Sequence, residues 1–535
     1  MRGRAFRTSP TNRGSSRLRG TKGAPIPHTQ EKTMNKNAYN PYLPSWEYIP
    51  DGEPHVFGDR VYVYGSHDLA NGCVFCLGDY VCYSAPVNDL SDWRFEGIIY
   101  KKEDDPANNG RMVLYAPDVC VGPDGRYYLF YVYDKVGFVS VAVCDTPAGK
   151  YKFYGYVHYK DGTRLGDRKG DMPQFDPAVI TEGDKTYLYT AFCGNNMKDR
   201  IGAMATVLGK DMLTIEEEPK VIVPGDCYAF EKEKALKLAE EQKKSAECPY
   251  ELSSIENWEG FKNHAFFEAS SIRKIGDTYY FVYSSQVMHE LCYATSKNPV
   301  GDFKYRGVIV SNCDIGINSY KPSDMPAAYG ANNHGGIEFI NGEYYIFYHR
   351  HTNGTWFSRQ GCAEKIKVLE DGTIPQVEIT SCGLNGGPLP AKGEYGAYLA
   401  CNLFTDKPSM YVAPDYPKVT QDGRDQANGI PYEGIEKAED SSFIAGICKN
   451  TTIGFKYFDF KDVHKISIKT RGYIYGSFEV MNKWDGEVLG KIELTDSSNF
   501  WEEHSASIDF KDGVNALYLK FTGGGTGQLK SISFN

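Results

Sequence analysis

Asp59-Arg-Val-Tyr-Val-Tyr64 is the first of five tyrosine-rich runs built to one pattern. The others are Gly125-Arg-Tyr-Tyr-Leu-Phe130, Asp184-Lys-Thr-Tyr-Leu-Tyr189, Asp277-Thr-Tyr-Tyr-Phe-Val282 and Gly342-Glu-Tyr-Tyr-Ile-Phe347. Each begins on a turn residue and continues in aromatic and aliphatic residues, which suits a strand packed on both sides. The aligned tyrosines Tyr62, Tyr128, Tyr187, Tyr280 and Tyr345 recur at roughly 60–70 residues, apart from a longer Tyr187–Tyr280 interval. That period fits one four-stranded blade with its loops, so five copies predict a five-bladed β-propeller. Short strands parted by Gly, Asp, Asn and Pro fill the region from about residue 35 to 395, with almost no helical periodicity.

One segment breaks the pattern. Residues 229–245 are dominated by Ala, Leu, Glu and Lys, with Glu233/Lys237 and Glu240/Lys244 spaced for helical ion pairs. They predict a solvated helix inserted between the third and fourth units, which accounts for the long interval. After residue 395 the repeat stops. Runs such as Ile453-Gly-Phe-Lys-Tyr-Phe458 and Ala516-Leu-Tyr-Leu-Lys-Phe521 alternate without the propeller unit. They predict a β-sandwich of the jelly-roll kind. The expected organisation is a basic leader at 1–33, a propeller at 34–395 and a sandwich at 396–535, an all-β chain throughout.

The leader holds eight Lys/Arg against one Asp/Glu and contains no apolar run. It reads as disordered, with Met34 as the native start. Without a secretory or membrane-spanning signal, the expectation is a cytoplasmic protein with no membrane partner and reduced thiols. Cys73-Val-Phe-Cys76 is an isolated CxxC with no second pair or histidine cluster, which speaks against zinc. The net charge of −10 argues against nucleic acid as a partner.

About ten residues before each tyrosine run lies a polar residue: Asp51, Asp118, Asp176, Glu268 and His334. A fixed offset in a radial repeat brings such residues to the axis. Their flanks are apolar, Pro or Gly. Phe266 and Phe267 frame Glu268, and desolvation raises a carboxyl's pKa toward that of a general acid. A better solvated Asp stays ionised and acts as a base. Two carboxylates of unlike pKa across a sugar-sized gap are what glycosidic cleavage requires, and a wide gap admits water and favours inversion.

Asn40-Pro-Tyr-Leu-Pro44, Tyr62-Val-Tyr-Gly-Ser-His-Asp68, Tyr115-Ala-Pro-Asp118, Phe175-Asp-Pro177, Glu268-Ala-Ser-Ser271, His334-Gly335, Tyr348-His349 and Glu370-Asp-Gly-Thr-Ile374 occur in order. Together they resemble glycoside hydrolase family 43. The resemblance implies a five-bladed propeller and an inverting mechanism. It puts the general base on Asp51, the general acid on Glu268 and the pKa-modulating Asp on Asp176. It implies a substrate-binding or pocket role for Asp118 and a substrate-contacting role for Arg359. His67 reads as either a pocket-lining residue or a strand cap, and His349 as either a substrate ligand or a hydrogen-bonded structural histidine. The resemblance also implies a calcium ion or its water shell near His334. One departure stands out: Asp51 is followed by Gly52 rather than Pro, and Glu53-Pro54 comes next, so Glu53 is a rival base.

The implied substrate is an oligosaccharide derived from plant polysaccharide. The expected activity is release of terminal pentose by an α-L-arabinofuranosidase. The alternatives are a β-xylosidase, a bifunctional enzyme, a non-catalytic sugar-binding propeller or a phosphorylase of a neighbouring family. Residues 454–523 resemble family 6 carbohydrate-binding modules, with Trp484 and Trp501 as candidate sugar platforms.

Overall fold

The computed structural model describes residues 38–535 apart from 71, 192–199, 229–231, 246–249, 254, 407, 414–415, 422–441 and 495–497. The basic leader expected at 1–33 lies outside the described residues. Each tyrosine run forms the second strand of an antiparallel sheet. Blade I comprises Glu53–Phe57, Arg60–Tyr64, Tyr80–Pro86 and Arg94–Tyr100. Blade II comprises Asp118–Val121, Tyr127–Tyr131, Ser140–Cys144 and Lys152–Tyr156. Blade III comprises Ala178–Glu182, Lys185–Thr190, Gly202–Leu208 and Ile215–Pro224, with the short Glu251–Leu252 added in parallel. Blade IV comprises Phe266–Ile275, Thr278–Ser285, Glu290–Ser296 and Lys304–Ser311. Blade V has three strands, Ile337–Ile340, Glu343–His351 and Arg359–Ile366.

The first strand of every blade is innermost, and each touches the first strand of the next, from I through V and back to I. Closure does not borrow a strand. A parallel bridge between Gly52 and Gly335 links blades I and V. Asn40 grips the outer strand of blade V: its amide donates to Ala363 O at 3.0 Å and its carbonyl accepts from Ala363 N at 2.9 Å. Apolar residues fill the wedges between blades. Between blades I and V these include Tyr42, Val61, Val63, Phe347 and Ala363, all buried.

The helix predicted between the third and fourth units is present as α1, Lys232–Ser245. It is not a free decoration. Ala235 and Gln242 are buried, and Ala235, Leu238 and Ala239 pack on a core containing Trp258 and Phe261. One turn-spaced face is docked, and the charged residues occupy the other.

The C-terminal region is a β-sandwich. The long strand Lys465–Met481 bends through it and pairs with four others, joining the two faces. Ile453, Phe455, Phe478, Leu517, Leu519 and Ile532 are among its fully buried core residues. Leu389–Pro390 and Gly393–Gly396 pair into this region rather than into blade V. The sandwich meets the propeller at a buried cation. Lys456 Nζ lies 2.7 Å from Glu378 and 3.3 Å from Asp314, and 3.6 Å from the Tyr320 ring centroid. No helix among the described residues is long and apolar enough to cross a membrane.

Candidate active site

Asp51, Asp176, Glu268, His334 and Arg359 line one cavity of about 240 Å³, at the end of the propeller where the innermost strands begin. Five chain segments separated by up to 308 positions therefore converge. Local backbone explains how. Asp51 (φ 57°) and Asp176 (φ 43°) occupy the left-handed region just before their strands. Non-glycine residues enter that region at a cost and seldom without a reason. The Asp51 loop lies against Gly65, where an added Cβ would fall 2.3 Å from the Pro50 carbonyl oxygen. Glu268 sits on a β-bulge, with register shifts on both sides and Ala269 at φ 69°. A bulge re-aims the side chain off the regular pleat.

The three carboxyls have different surroundings. Arg359 Nη1 donates to Asp51 Oδ1 at 2.8 Å, and His349 Nδ1 lies 3.3 Å from the same oxygen. Burial pushes the Asp51 carboxyl up, but Arg359, His349 and His334 together outweigh it and hold Asp51 well below the usual carboxylate range. Among the described residues, no such cation is bonded to Glu268. Burial, then the Asp51 charge, push it up to about 7. Asp176 accepts from Ala269 N at 2.9 Å and is raised by burial, Glu268 and Asp51. Both Asp176 and Glu268 are thus held above the ordinary carboxylate range. His334 Nδ1 lies 3.8 Å from Asp176 and 4.0 Å from Asp51. Burial lowers His334 to about 4, so its ring is neutral at physiological pH.

Arg359 is itself clamped. Asp68 accepts from Arg359 Nε at 2.8 Å, Nη2 at 3.1 Å and backbone N at 3.0 Å. Asp68 is fully buried, and Cys76 N donates to it at 2.9 Å. The two-pronged grip leaves Nη1 aimed at Asp51. Cys76, expected as half of an isolated CxxC, faces Arg359 with its sulfur at 3.4 Å, while Cys73 is exposed.

Three residues expected to touch substrate do not line the cavity. His67 is buried between Glu47, 3.0 Å from its Nε2, and the Asp79 carbonyl, 3.0 Å from its Nδ1. Asp118 ties three blades together, with His55 Nε2 2.6 Å from one oxygen and Val179 N donating to the other at 2.8 Å. His349 lies behind Asp51, its Nε2 donating to Asn332 O at 2.8 Å. Glu53, the rival base, also points away. Its Oε2 accepts from Ser271 Oγ at 3.0 Å and Arg273 Nη2 at 3.1 Å, below the cavity.

The cavity wall contains residues that the repeat could not single out: Phe75, Tyr115, Phe175, Phe267, Met288, Asn332 and Trp356. Tyr115 packs on Phe175 at 4.8 Å, and Phe75 packs edge-on against Phe357 at 4.7 Å. Aromatic faces around a few convergent polar groups make a small-ligand pocket. The clue available beforehand was the aromatic next to each acid, as in Phe175-Asp176 and Phe267-Glu268.

Of the two candidate sugar platforms in the sandwich, Trp484 stacks on Phe404 at 4.2 Å and meets Tyr320 edge-on at 6.0 Å. It braces the junction with the propeller. Trp501 is covered by the Arg471 guanidinium at 4.2 Å and packs on Phe443.

The five-bladed propeller gathers three buried carboxyls around one small axial cavity, the arrangement that paired-carboxyl glycosidic chemistry requires. Residues 57–374 match the family model for glycosyl hydrolases family 43, and the chain belongs to that family. It is 60% identical over 508 residues to a xylosidase/arabinosidase of Thermoclostridium stercorarium, covering 94% of this chain and 99% of that protein. A xylosidase/arabinosidase of Bacteroides ovatus is 27% identical over 338 residues, covering 58% and 87%. Among solved structures, the calcium-free form of a family 43 β-xylosidase/α-arabinofuranosidase from a compost metagenome, in complex with xylotriose, is 26% identical. It covers 64% of this chain and 98% of that one, with a TM-score of 0.46. The chain is therefore a glycoside hydrolase.

Proposed function

We propose that this enzyme removes single terminal pentoses, both α-L-arabinofuranosyl and β-xylosyl, from short oligosaccharides of plant-polysaccharide origin. One observation carries the reading: Asp51, bonded by Arg359, and Glu268, buried without that partner, line one cavity sized for a single sugar ring. At about 240 Å³ the cavity is smaller than the roughly 300–1,000 Å³ that drug-sized ligands fill. One sugar unit inside, with the leaving group outside, means attack at chain ends. The bifunctional xylosidase/arabinosidase with 60% identity supports both pentoses. The arabinofuranoside expected first from the sequence is one of the two.

Glu268 is assigned as the general acid, delivering its proton to the glycosidic oxygen as the bond to the anomeric carbon breaks. Asp51 is assigned as the general base, taking a proton from the water that attacks the opposite face. Asp176, lining the same cavity, is assigned as the residue that keeps that proton in place until transfer. Arg359 holds Asp51 ionised and offers its remaining guanidinium surface to sugar hydroxyls. Net reaction at the anomeric centre is a single displacement, with inversion.

The test is a panel of aryl arabinofuranosides and xylosides, with the first-formed anomer read by NMR. Inverted arabinose and xylose from both classes are expected. A retained anomer refutes the Asp51–Glu268 assignment, and turnover of only one pentoside refutes bifunctionality.

A further inference from the structure

Beneath the catalytic cavity the propeller axis contains a second charged cluster, and its centre is an arginine. Arg273 belongs to the innermost strand of blade IV and is 13% exposed at its side chain. Its guanidinium crosses the axis to blades I and V. Nη2 donates to Glu53 Oε2 at 3.1 Å and to Pro54 O at 2.5 Å, and Nε lies 3.5 Å from Glu338. Nη1 donates to Ile272 O at 2.7 Å. Asp118 completes the ring of carboxylates, held by His55.

Calcium near His334 was the expectation, and these residues can be tested against it. The ion takes six to eight oxygens at about 2.3–2.6 Å. Below His334, the group facing its free Nε2 is one carboxylate oxygen, Glu53 Oε1, at 3.8 Å. Neither atom has a hydrogen-bond partner among the described residues. The other Glu53 oxygen is already taken by Arg273 and Ser271. Glu53, His55 and Asp118 also bring ligand atoms together. There, however, Arg273 Nη2 stands 3.5 Å from His55 Nε2 and 3.1 Å from Glu53, inside the space a bridging ion would need. At Gly336 an added Cβ would fall 2.6 Å from both Glu53 Oε2 and Ser271 Oγ, so the backbone closes the same space from blade V. The His334 side offers one free carboxylate oxygen, and the second cluster already holds a fixed guanidinium among its donors.

We propose that Arg273 is the built-in cation of the propeller axis, standing where a divalent ion would otherwise sit among Glu53, Asp118 and Glu338, and that this enzyme works without calcium. A guanidinium is always charged, and its planar fork can bond several blades at once. Arg273 is a positioning residue. It fixes Glu53 under His334, and His334 lies between Asp51 and Asp176.

The experiment uses the full-length enzyme, stripped with EDTA and titrated with calcium chloride by calorimetry, with melting followed in parallel. No binding heat and no calcium-dependent shift in melting midpoint are expected. Stoichiometric binding, or a midpoint that falls with EDTA and returns with calcium, overturns the proposal. The Arg273→Met variant, which keeps bulk and removes charge, is expected to melt lower and to acquire a calcium-dependent rise in midpoint and activity. Arg273→Lys retains most of the wild-type midpoint without calcium. A folded Arg273→Met variant that remains indifferent to calcium contradicts the replacement. If that variant does not fold, the wild-type titration still decides whether the axis takes the ion.

Discussion

Asp51 and Glu53 are separated by one residue, are both buried, and belong to the same turn of chain, yet they meet opposite electrostatic conditions. Asp51 opens onto the cavity and receives Arg359 at 2.8 Å, which with two histidines keeps it ionised. Glu53 lies below, where burial outweighs Arg273 and the nearby Asp118 adds repulsion, so it rises to about 8. Each has an arginine within hydrogen-bond reach. The difference lies in the balance around each carboxyl: for Asp51 the close Arg359 and the flanking imidazoles outweigh burial, and for Glu53 burial and the Asp118 charge outweigh Arg273. A salt bridge alone does not set a buried acid's protonation; the sum over all its neighbours does. The pocket is built to hold opposite charges apart, and the axis to hold like charges quiet.

The sharpest break of that comparison is one substitution made twice. Asp51→Asn removes the proposed base, and Glu268→Gln removes the proposed acid. Each is expected to lower kcat on an activated arabinofuranoside by about 10²–10⁴-fold, the range for a positioned acid or base. Glu53→Gln replaces a protonated carboxyl with its nearest neutral equivalent and is expected to keep most of the wild-type kcat. Loss of kcat in Glu53→Gln as deep as in Asp51→Asn would move the base one residue down the strand.

Next in size is the effect of Arg359 on pH dependence. In the wild type, Arg359 and the histidines hold Asp51 well below the usual carboxylate range, while burial and the Asp51 charge push Glu268 up to about 7. The kcat profile should therefore be flat on the acid side and fall as pH rises through about 7. Arg359→Met removes the main charge holding Asp51 down, but its burial remains. Its pKa must rise, so an acid limb appears and moves upward while the alkaline limb changes less. A uniform loss of kcat with no new acid limb would mean Arg359 serves substrate alone.

Glu53 also leaves a signature in stability. Its folded pKa is raised from 4.5 to about 8, so its stabilising contribution is complete below the unfolded value and is lost as pH rises through about 8. Thermal melts from pH 4.5 to 9 should show the wild type losing midpoint across that window. Glu53→Gln should lose less, because its amide does not titrate. Parallel curves for the two proteins would show that Glu53 ionises normally when folded.

How much of this could be read beforehand divides along the same line. The five tyrosine runs show the blades because each blade repeats one packing problem and meets it with one residue pattern. The offset polar residues Asp51, Asp176, Glu268 and His334 are visible because a radial repeat sends equivalent positions to one axis. Asp118 shares the offset but sits one layer deeper, outside the cavity lining, where it bonds His55 and Val179. Nothing local distinguishes the two depths. Arg273 and Asp68 were harder still. Their importance comes from partners 220 and 291 residues away, and pairing at that range leaves no spacing to count. The docked face of α1 was likewise hidden, because Ala235 and Ala239 serve helix propensity and burial equally well.

The smallest expected effect separates the wall of the cavity from the frame behind it. His67 stands in a motif that suggests sugar contact, but its ring is 1% exposed and bonded at both nitrogens, to Glu47 and to the Asp79 carbonyl. Tyr83 donates to the second Glu47 oxygen at 2.8 Å, so the network is closed without a ligand. Gly78 leaves it no room to swing, since an added Cβ there would touch the ring at 2.4 Å. His67→Asn shortens the side chain and leaves Glu47 short of a buried partner, costing about 1–3 kcal/mol of stability by urea titration. KM for an aryl pentoside should stay near the wild-type value, because no group facing the sugar has moved. An increase in KM with stability unchanged would place His67 in the wall after all, and the frame would then begin one layer further from the axis than Asp68 and Arg359 indicate.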